Sequence, residues 1–187
     1  METDMKLHLG CGWRDFGDDW VHIDGGDYDH LEHNDITKLP YEDESVDLIY
    51  ASHVLEYFDR QEVIPVLQEW VRVLKKGGIL RIAVPDFESM AIMYVMTRNT
   101  INQHSLDSFL GPLYGKMQMG NQTIYHKTTY DFSSLSGLLK SVGIESVERY
   151  NWRQTEHSEF DDHSQAYIPH MDKEKGILIS LNVEGVK

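Results

Sequence analysis

Only one cysteine, Cys11, occurs among the 187 residues, so the chain cannot form an internal disulfide and is compatible with a reducing compartment. Basic residues are scarce: 17 Lys and Arg stand against 31 Asp and Glu, a formal net charge of -14. A nucleic acid would need a local basic stripe to overcome that field, and "RVLKKGG" is too short to be one. A small molecule, neutral or cationic, is the expected partner, with no nucleic acid. No apolar run approaches the length of a membrane span, and no charged-then-apolar leader is visible. The expectation is therefore a cytoplasmic chain with no membrane span. What is present is an ordinary globular mixture, 41% apolar and 26% charged, long enough for one domain with a sizeable core.

Short apolar segments closed by glycine, "KLHLG" and "DWVHIDGG", read as strands. "LEHNDITKLPYEDES" is polar, a brief strand or loops, and "VDLIYAS" is a strand buried on both faces. In "DRQEVIPVLQEWVRVLKKGG" the period changes. Val63, Val66, Leu67, Trp70, Val71 and Leu74 line one helical face, Asp59 and Glu62 suit a capping box, and Lys75, Lys76 and Gly77 suit the C-terminal end. "GILRIAVPD" is again a buried strand, stopped by Pro85. Residues 87–130 break this rhythm: "FESMAIMYVMTRN" is helical and methionine-rich, and glycine, aromatic and polar residues follow it. "DFSSLSGLLKSVG" is a helix, "IESVERY" and "GILISLNVEGV" are strands, and residues 151–175 form a long polar connection. Strands alternating with helical patterns predict an α/β fold with a mostly parallel sheet. The whole chain, 1–187, reads as one domain, with 87–130 inserted over the sheet's end as a substrate lid.

The turn after the first strand, "GCGWRDF", faces the edge where α/β folds bind nucleotides. The dinucleotide fingerprint wants a third glycine where Asp15 stands, and the Gly-Lys-Ser/Thr of a phosphate loop is absent. An acidic residue there would oppose a pyrophosphate, so the loop suits a nucleoside without phosphates. Asp24 closes the second strand, "VHID", where a carboxylate can accept both ribose hydroxyls; the plainer alternative is a turn carboxylate. Asp35 can accept from an exocyclic amine, and Ile36 can lie against a purine face.

In order and spacing, "LHLGCG", "VHID", "NDITKLPYEDESVDLIYASHVLEYF" and "EWVRVLKKGGILRIAVPD" resemble the class I S-adenosylmethionine-dependent methyltransferases, in particular a small bacterial type. The likeness is strong over residues 6–86 and looser over 131–187. It implies a Rossmann-like methyltransferase fold, a seven-stranded sheet of order 3-2-1-4-5-7-6 with strand 7 antiparallel. It further implies S-adenosyl-L-methionine as cofactor, with Gly10, Cys11 and Gly12 under its methionine part, Asp24 on the ribose, and Asp35 and Ile36 flanking the adenine. Ser52 and His53, after the fourth strand of that fold, would line the cofactor and substrate side. Two features depart from the family: the usual third glycine is missing, with Arg14 and Asp15 nearby instead, and the first helix is nearly deleted, which leaves the adenosine side more open or covered by aromatic residues such as Trp13 and Phe16.

Such a transferase supplies its reactive methyl group from the cofactor, so a general base is needed only if the acceptor must lose a proton. His53 is the candidate catalytic base, with a strand-end structural histidine as the alternative. Glu56, Tyr57, Tyr125, His126 and Tyr130 are candidate substrate-binding residues, or else residues that cap a helix and pack the lid. His157, Asp161, Asp162 and His163 in "HSEFDDHS" lack a completing cluster, and no metal is expected. Met90, Met93 and Met96 form a partial stripe that suits core packing or contact across a homodimer. The reading is methyl transfer to a small-molecule acceptor, for instance a sugar or lipid precursor. Two alternatives stand beside it: a non-enzymatic S-adenosylmethionine-binding or protein-interaction module, and aminopropyl transfer on the same fold.

Overall fold

The computed structural model describes residues 4–97 and 106–187. In chain order the elements are β1 (Lys6–Leu9), β2 (Val21–Ile23), β3 (Val46–Ser52), α1 (Val63–Val73), β4 (Leu74–Pro85), α2 (Phe87–Thr97) and α3 (Asp107–Tyr114). Then follow β5 (Met117–Met119), β6 (Gln122–Ile124), α4 (Phe132–Ser141), β7 (Glu145–Arg149), β8 (Tyr167–Ile168), β9 (Ile177–Leu178) and β10 (Ser180–Val186).

The main sheet has six strands in the order β2-β1-β3-β4-β10-β7. Strands β2, β1, β3 and β4 run parallel, and β10 is antiparallel to both β4 and β7. This is the expected order without its outermost strand. The seven-stranded expectation is corrected to six, with a single parallel bridge, Ile23 to His33, at the missing strand's place. The reason is local: "EHNDITK" is polar and exposed except at Ile36, and Asp35 Oδ1 turns the chain there by accepting from Thr37 N at 2.8 Å and Thr37 Oγ1 at 2.6 Å.

Period-2 alternation sorts the two faces. Leu7, Leu9, Ile49, Ala51, Leu80, Ile82, Leu181 and Val183 pack under Val63, Leu67 and Trp70 of α1 and Leu135 and Leu139 of α4. The capping box forms: Asp59 Oδ1 accepts from Glu62 N (2.8 Å), and Glu62 Oε2 accepts from Asp59 N (2.9 Å). The other end differs from expectation. Lys75, Lys76 and Gly77 belong to β4, because Lys75 reaches Asp47 at 2.8 Å and Gly77 N donates to Lys187 O, so pairing draws the chain out of the helix. The opposite face carries the row His22, His8, Tyr50, Arg81 and Glu184, each in register with the next. Its cover comes from segments without an α-helix: Phe16 stacks on His8 with centroids 4.0 Å apart, and His157 lies 4.0 Å from Tyr50. The first helix is indeed absent, since residues 10–20 hold only turns.

Beyond β4, the described part of 87–130 is α2, α3 and the β5–β6 hairpin; residues 98–105 of that segment lie outside the described residues. Met90 and Met93 pack with Phe109, Ile168 and Ile179, whereas Met96 is 74% exposed. Among the described residues no helix is long and apolar enough to cross a membrane.

Candidate functional site

The carboxyl ends of β1, β2 and β3 meet at one edge. There Gly10 takes φ +68°, and its amide donates to Ile23 O at 2.7 Å. A Cβ at Gly10 would overlap Val54 Cγ2, so the bare backbone serves close packing as well as the turn. Gly12 N donates to Asp24 Oδ2 (2.8 Å) and Gly26 N to Asp24 Oδ1 (2.7 Å). Two backbone amides thus aim the carboxylate, and each oxygen keeps a lone pair. Cys11 between the glycines is buried, and burial, reinforced by Asp24, pushes its thiol up to about 12, which removes it as a nucleophile.

Beside this loop Ser52 ends β3. Its Oγ is buried without a hydrogen-bond partner, and it lines a cavity of ≈ 10 Å³ with Gly10, Cys11, Arg14, Asp162 and His163. That is room for about one water. The cavity is narrow because the connection after β7 folds back over it. Arg14 Nε donates to Asp161 O (2.9 Å), Tyr50 OH donates to Asp162 Oδ2, and Asn182 Nδ2 donates to Ser164 O (2.8 Å). Arg81, paired with Glu156 at 2.7 Å and Glu184 at 2.8 Å, holds the same connection from the sheet.

One step along the edge, His53 sits at φ +55°, an uncommon conformation for a residue with a side chain. Glu56 follows it in a 3-10 turn, Leu55–Tyr57, and is fully buried with neither carboxyl oxygen hydrogen-bonded. Glu56 Oε1 lies 3.5 Å from His53 Nδ1 and 3.6 Å from His126 Nε2. The outer partners of the two imidazoles determine where their protons are. Ser180 Oγ donates to Asn182 Oδ1, so it accepts from His53 Nε2 at 3.3 Å; His126 Nδ1 donates to Pro112 O at 3.1 Å. When neutral, both rings turn bare nitrogens toward one carboxyl oxygen, an arrangement that a proton on Glu56 relieves. Burial pushes Glu56 up to about 8, and burial first, then neighbouring histidines, hold His53 well below its ordinary value. Burial also lowers His126.

Tyr57 belongs to this cluster: its ring edge meets His126 at 4.7 Å, and its hydroxyl donates to Gly115 O at 3.0 Å. A Cβ at Gly115 would overlap the His126 ring, so glycine is what lets the two approach. Tyr130 is buried beneath the Arg60 guanidinium (4.5 Å), its hydroxyl pushed up to about 12 by burial. Tyr125 is apart, 48% exposed. Asp35 and Ile36 lie in the loop before β3, where Ile36 O accepts from Trp70 Nε1 (2.7 Å), and Thr37 holds Asp35 below the ordinary carboxylate range. Sequence reasoning did not assign Asp162 and His163 to the edge. A topological signal existed: β7 runs parallel to β4, so the connection after it starts at this same edge. Among the described residues no group of three or more His, Cys, Asp or Glu side chains is placed to hold a metal ion.

A family model described as a methyltransferase domain matches residues 21–82. No curated protein matches the chain. Among solved structures, an S-adenosylmethionine-dependent methyltransferase from Mesorhizobium loti is 18% identical with TM-score 0.54, covering 100% of this chain and 93% of its own. A methyltransferase from Haloferax volcanii, solved in complex with the Trm112 methyltransferase activator, is 17% identical with TM-score 0.53, covering 99% and 82%. The 1,6-didemethyltoxoflavin-N1-methyltransferase of Burkholderia thailandensis, with bound 1,6-didemethyltoxoflavin and S-adenosylhomocysteine, is 12% identical with TM-score 0.54, covering 98% and 70%. At these identities the likeness is one of fold. Residues 21–82 are similar to the methyltransferase domain, and the chain shares its fold with solved S-adenosylmethionine-dependent methyltransferases, whose methyl donor is S-adenosyl-L-methionine. The residues at the edge fit that group in their chemistry: an aimed carboxylate with spare lone pairs suits a ribose, and the unpartnered Ser52 Oγ offers a polar contact beside the glycine loop.

Proposed function

We propose that the chain transfers a methyl group to a nitrogen or oxygen of a small-molecule acceptor at the edge between Ser52 and the Glu56 cluster. The observation that carries this reading is Glu56, a fully buried carboxyl group with both oxygens unpartnered between two imidazoles. Buried acid–base groups of this kind, with a shifted pKa, cluster at reaction sites. The cofactor, when bound, supplies a methyl group on a sulfonium sulfur. Asp24 would hold the ribose hydroxyls, with Gly10, Cys11, Gly12 and Ser52 along the rest of the cofactor and Asp35 and Ile36 beside the adenine.

On the acceptor side, a bond forms between the acceptor atom and the methyl carbon, the carbon–sulfur bond breaks, and the acceptor's proton must leave. His53 takes that proton on Nδ1, the nitrogen left bare by its bond to Ser180, and Glu56, 3.5 Å away, offsets the charge when it is ionised. Tyr57 keeps the His126 ring in place, and Tyr130, within electrostatic reach of Glu56, belongs to the acceptor's surroundings, while Tyr125 stays apart. The described part of 87–130, with α2, α3 and the β5–β6 hairpin, acts as the lid. Lys127 N donates to Glu56 O at 2.7 Å, and Met119 Sδ of the hairpin lies 3.6 Å from the Cβ position of Gly25, the neighbour of Asp24. A neutral sugar, a lipid precursor or an amine suits the charge of -14 better than a polyphosphate.

Two measurements test the reading. Asp24→Ala should weaken S-adenosylhomocysteine binding in calorimetry by at least about 1.5 kcal/mol, the scale of a charge-assisted hydrogen bond. In single-turnover methyl transfer over a panel of amines, phenols and sugars, His53→Ala should slow transfer at least about tenfold with cofactor affinity kept. Unchanged turnover in both His53→Ala and His126→Ala on a confirmed acceptor would move the acceptor site elsewhere.

A further inference from the structure

The cavity beside the glycine loop carries opposite charges that do not meet. Arg14 and Asp162 both line it, yet no carboxylate lies within 4.0 Å of the Arg14 nitrogens among the described residues. Arg14 spends Nε on Asp161 O at 2.9 Å and stacks over Trp13 at 4.9 Å, and its two terminal nitrogens have no partner there. Asp162 accepts one hydrogen bond on each oxygen, from Ser164 N at 2.8 Å and from Tyr50 OH, which leaves a lone pair on each. The unpartnered Ser52 Oγ and the unpartnered His8 Nδ1, both buried, line the same space. A guanidinium and a carboxylate held apart across a polar cavity complement a ligand end that carries both charges.

With S-adenosylmethionine as the ligand of this edge, we propose that Arg14 and Asp162 clamp its amino-acid end, Arg14 on the α-carboxylate and Asp162 on the α-ammonium. The departures from the family pattern then have a use. In folds of this kind the helix after the first strand points its N-terminal amides at a bound anion. Here residues 10–20 form only turns, and Arg14 brings the positive charge by side chain instead. Asp162 comes from the distant connection after β7, fixed by Tyr50 of β3. The cavity of ≈ 10 Å³ admits about one water, so the turn at Asp161–His163 must open to admit the ligand and close on it again, releasing and remaking the bonds from Arg14 Nε to Asp161 O and from Tyr50 OH to Asp162.

The test compares S-adenosylhomocysteine with 5′-methylthioadenosine, which shares the nucleoside and thioether but lacks the amino-acid end. Calorimetry on the full chain should show Arg14→Gln losing at least about tenfold in affinity for S-adenosylhomocysteine and less than about twofold for 5′-methylthioadenosine, the scale of one charge-assisted contact. Arg14→Lys should recover part of the loss. Asp162→Asn, whose amide oxygen can still accept from Ser164 N while its nitrogen donates to the Tyr50 hydroxyl oxygen, should show the same selectivity. A parent that binds the two nucleosides equally, or an Arg14→Gln variant that keeps full affinity for S-adenosylhomocysteine, overturns the clamp and leaves the cofactor reading standing. A parent that binds neither overturns both.

Discussion

The residue that departs furthest from ordinary behaviour is Glu56. A carboxyl group with no exposure and no hydrogen-bond partner favours its neutral form, and His53 and His126, themselves neutral when buried, present bare nitrogens to it. Its folded pKa of about 8 stands above the ordinary 4.5. Between those values the folded chain holds a proton that the unfolded chain releases, so this group's contribution to stability falls as pH rises, by about 1.4 kcal/mol per unit. A glutamine amide in its place would offer two N–H groups to the two facing nitrogens without titrating. Glu56→Gln should therefore gain stability over the parent as pH rises from about 5 to about 8. Melting curves across that range check it, and a difference independent of pH would mean that Glu56 is already ionised when folded.

At the scale of elements, the loop after β1 does the work of a missing helix. Phe16 N donates to His22 Nε2 at 2.8 Å, and Phe16 and Trp20 pack onto Tyr50, so aromatic contact with the sheet adds to the turns' own bonds, such as Arg14 N to Cys11 O and Trp20 N to Gly17 O. The glycine that starts it is packed against Val54. From sequence, Gly10→Val is expected to block a ligand more than to unfold the chain. The contact with Val54 reverses that expectation: overpacking together with the left-handed conformation should cost at least about 2 kcal/mol. Denaturant unfolding measures it, and an unchanged midpoint with lost nucleoside binding would restore the ligand-facing reading.

Across the whole molecule, net charge governs what approaches the site from a distance. With 31 acidic side chains against 17 basic ones, the chain sets up a negative field that favours cations at its edge. S-adenosylmethionine carries a sulfonium charge that S-adenosylhomocysteine lacks. Added salt should therefore weaken the methyl-bearing form more than its product, because ions screen the long-range attraction. Calorimetry of both nucleosides at low and high salt reads the difference, and equal salt slopes would show that the field does not reach the site.

Periodicity by itself determined the α/β class, the faces of α1 and α4 and the buried strands, because alternation at 2 and 3.6 residues is local and survives in any packing. The order of the motifs made the likeness to methyltransferases legible, and Asp24 at the end of β2 was readable as the acid of the glycine edge. The loss of the outer strand was harder to see, since Asp35 and Thr37 close a turn that only their hydrogen bonds reveal. The end of α1 was misread because Lys75 and Gly77 suit a helix cap locally, while Asp47 and Lys187, far away in sequence, draw them into β4. Tertiary structure alone brought His126 against Glu56, and Asp162 and His163 against Gly10. Those pairs are separated by long stretches of chain, and their contacts come from two connections folding back over one sheet edge, a matter of topology that no local spacing encodes.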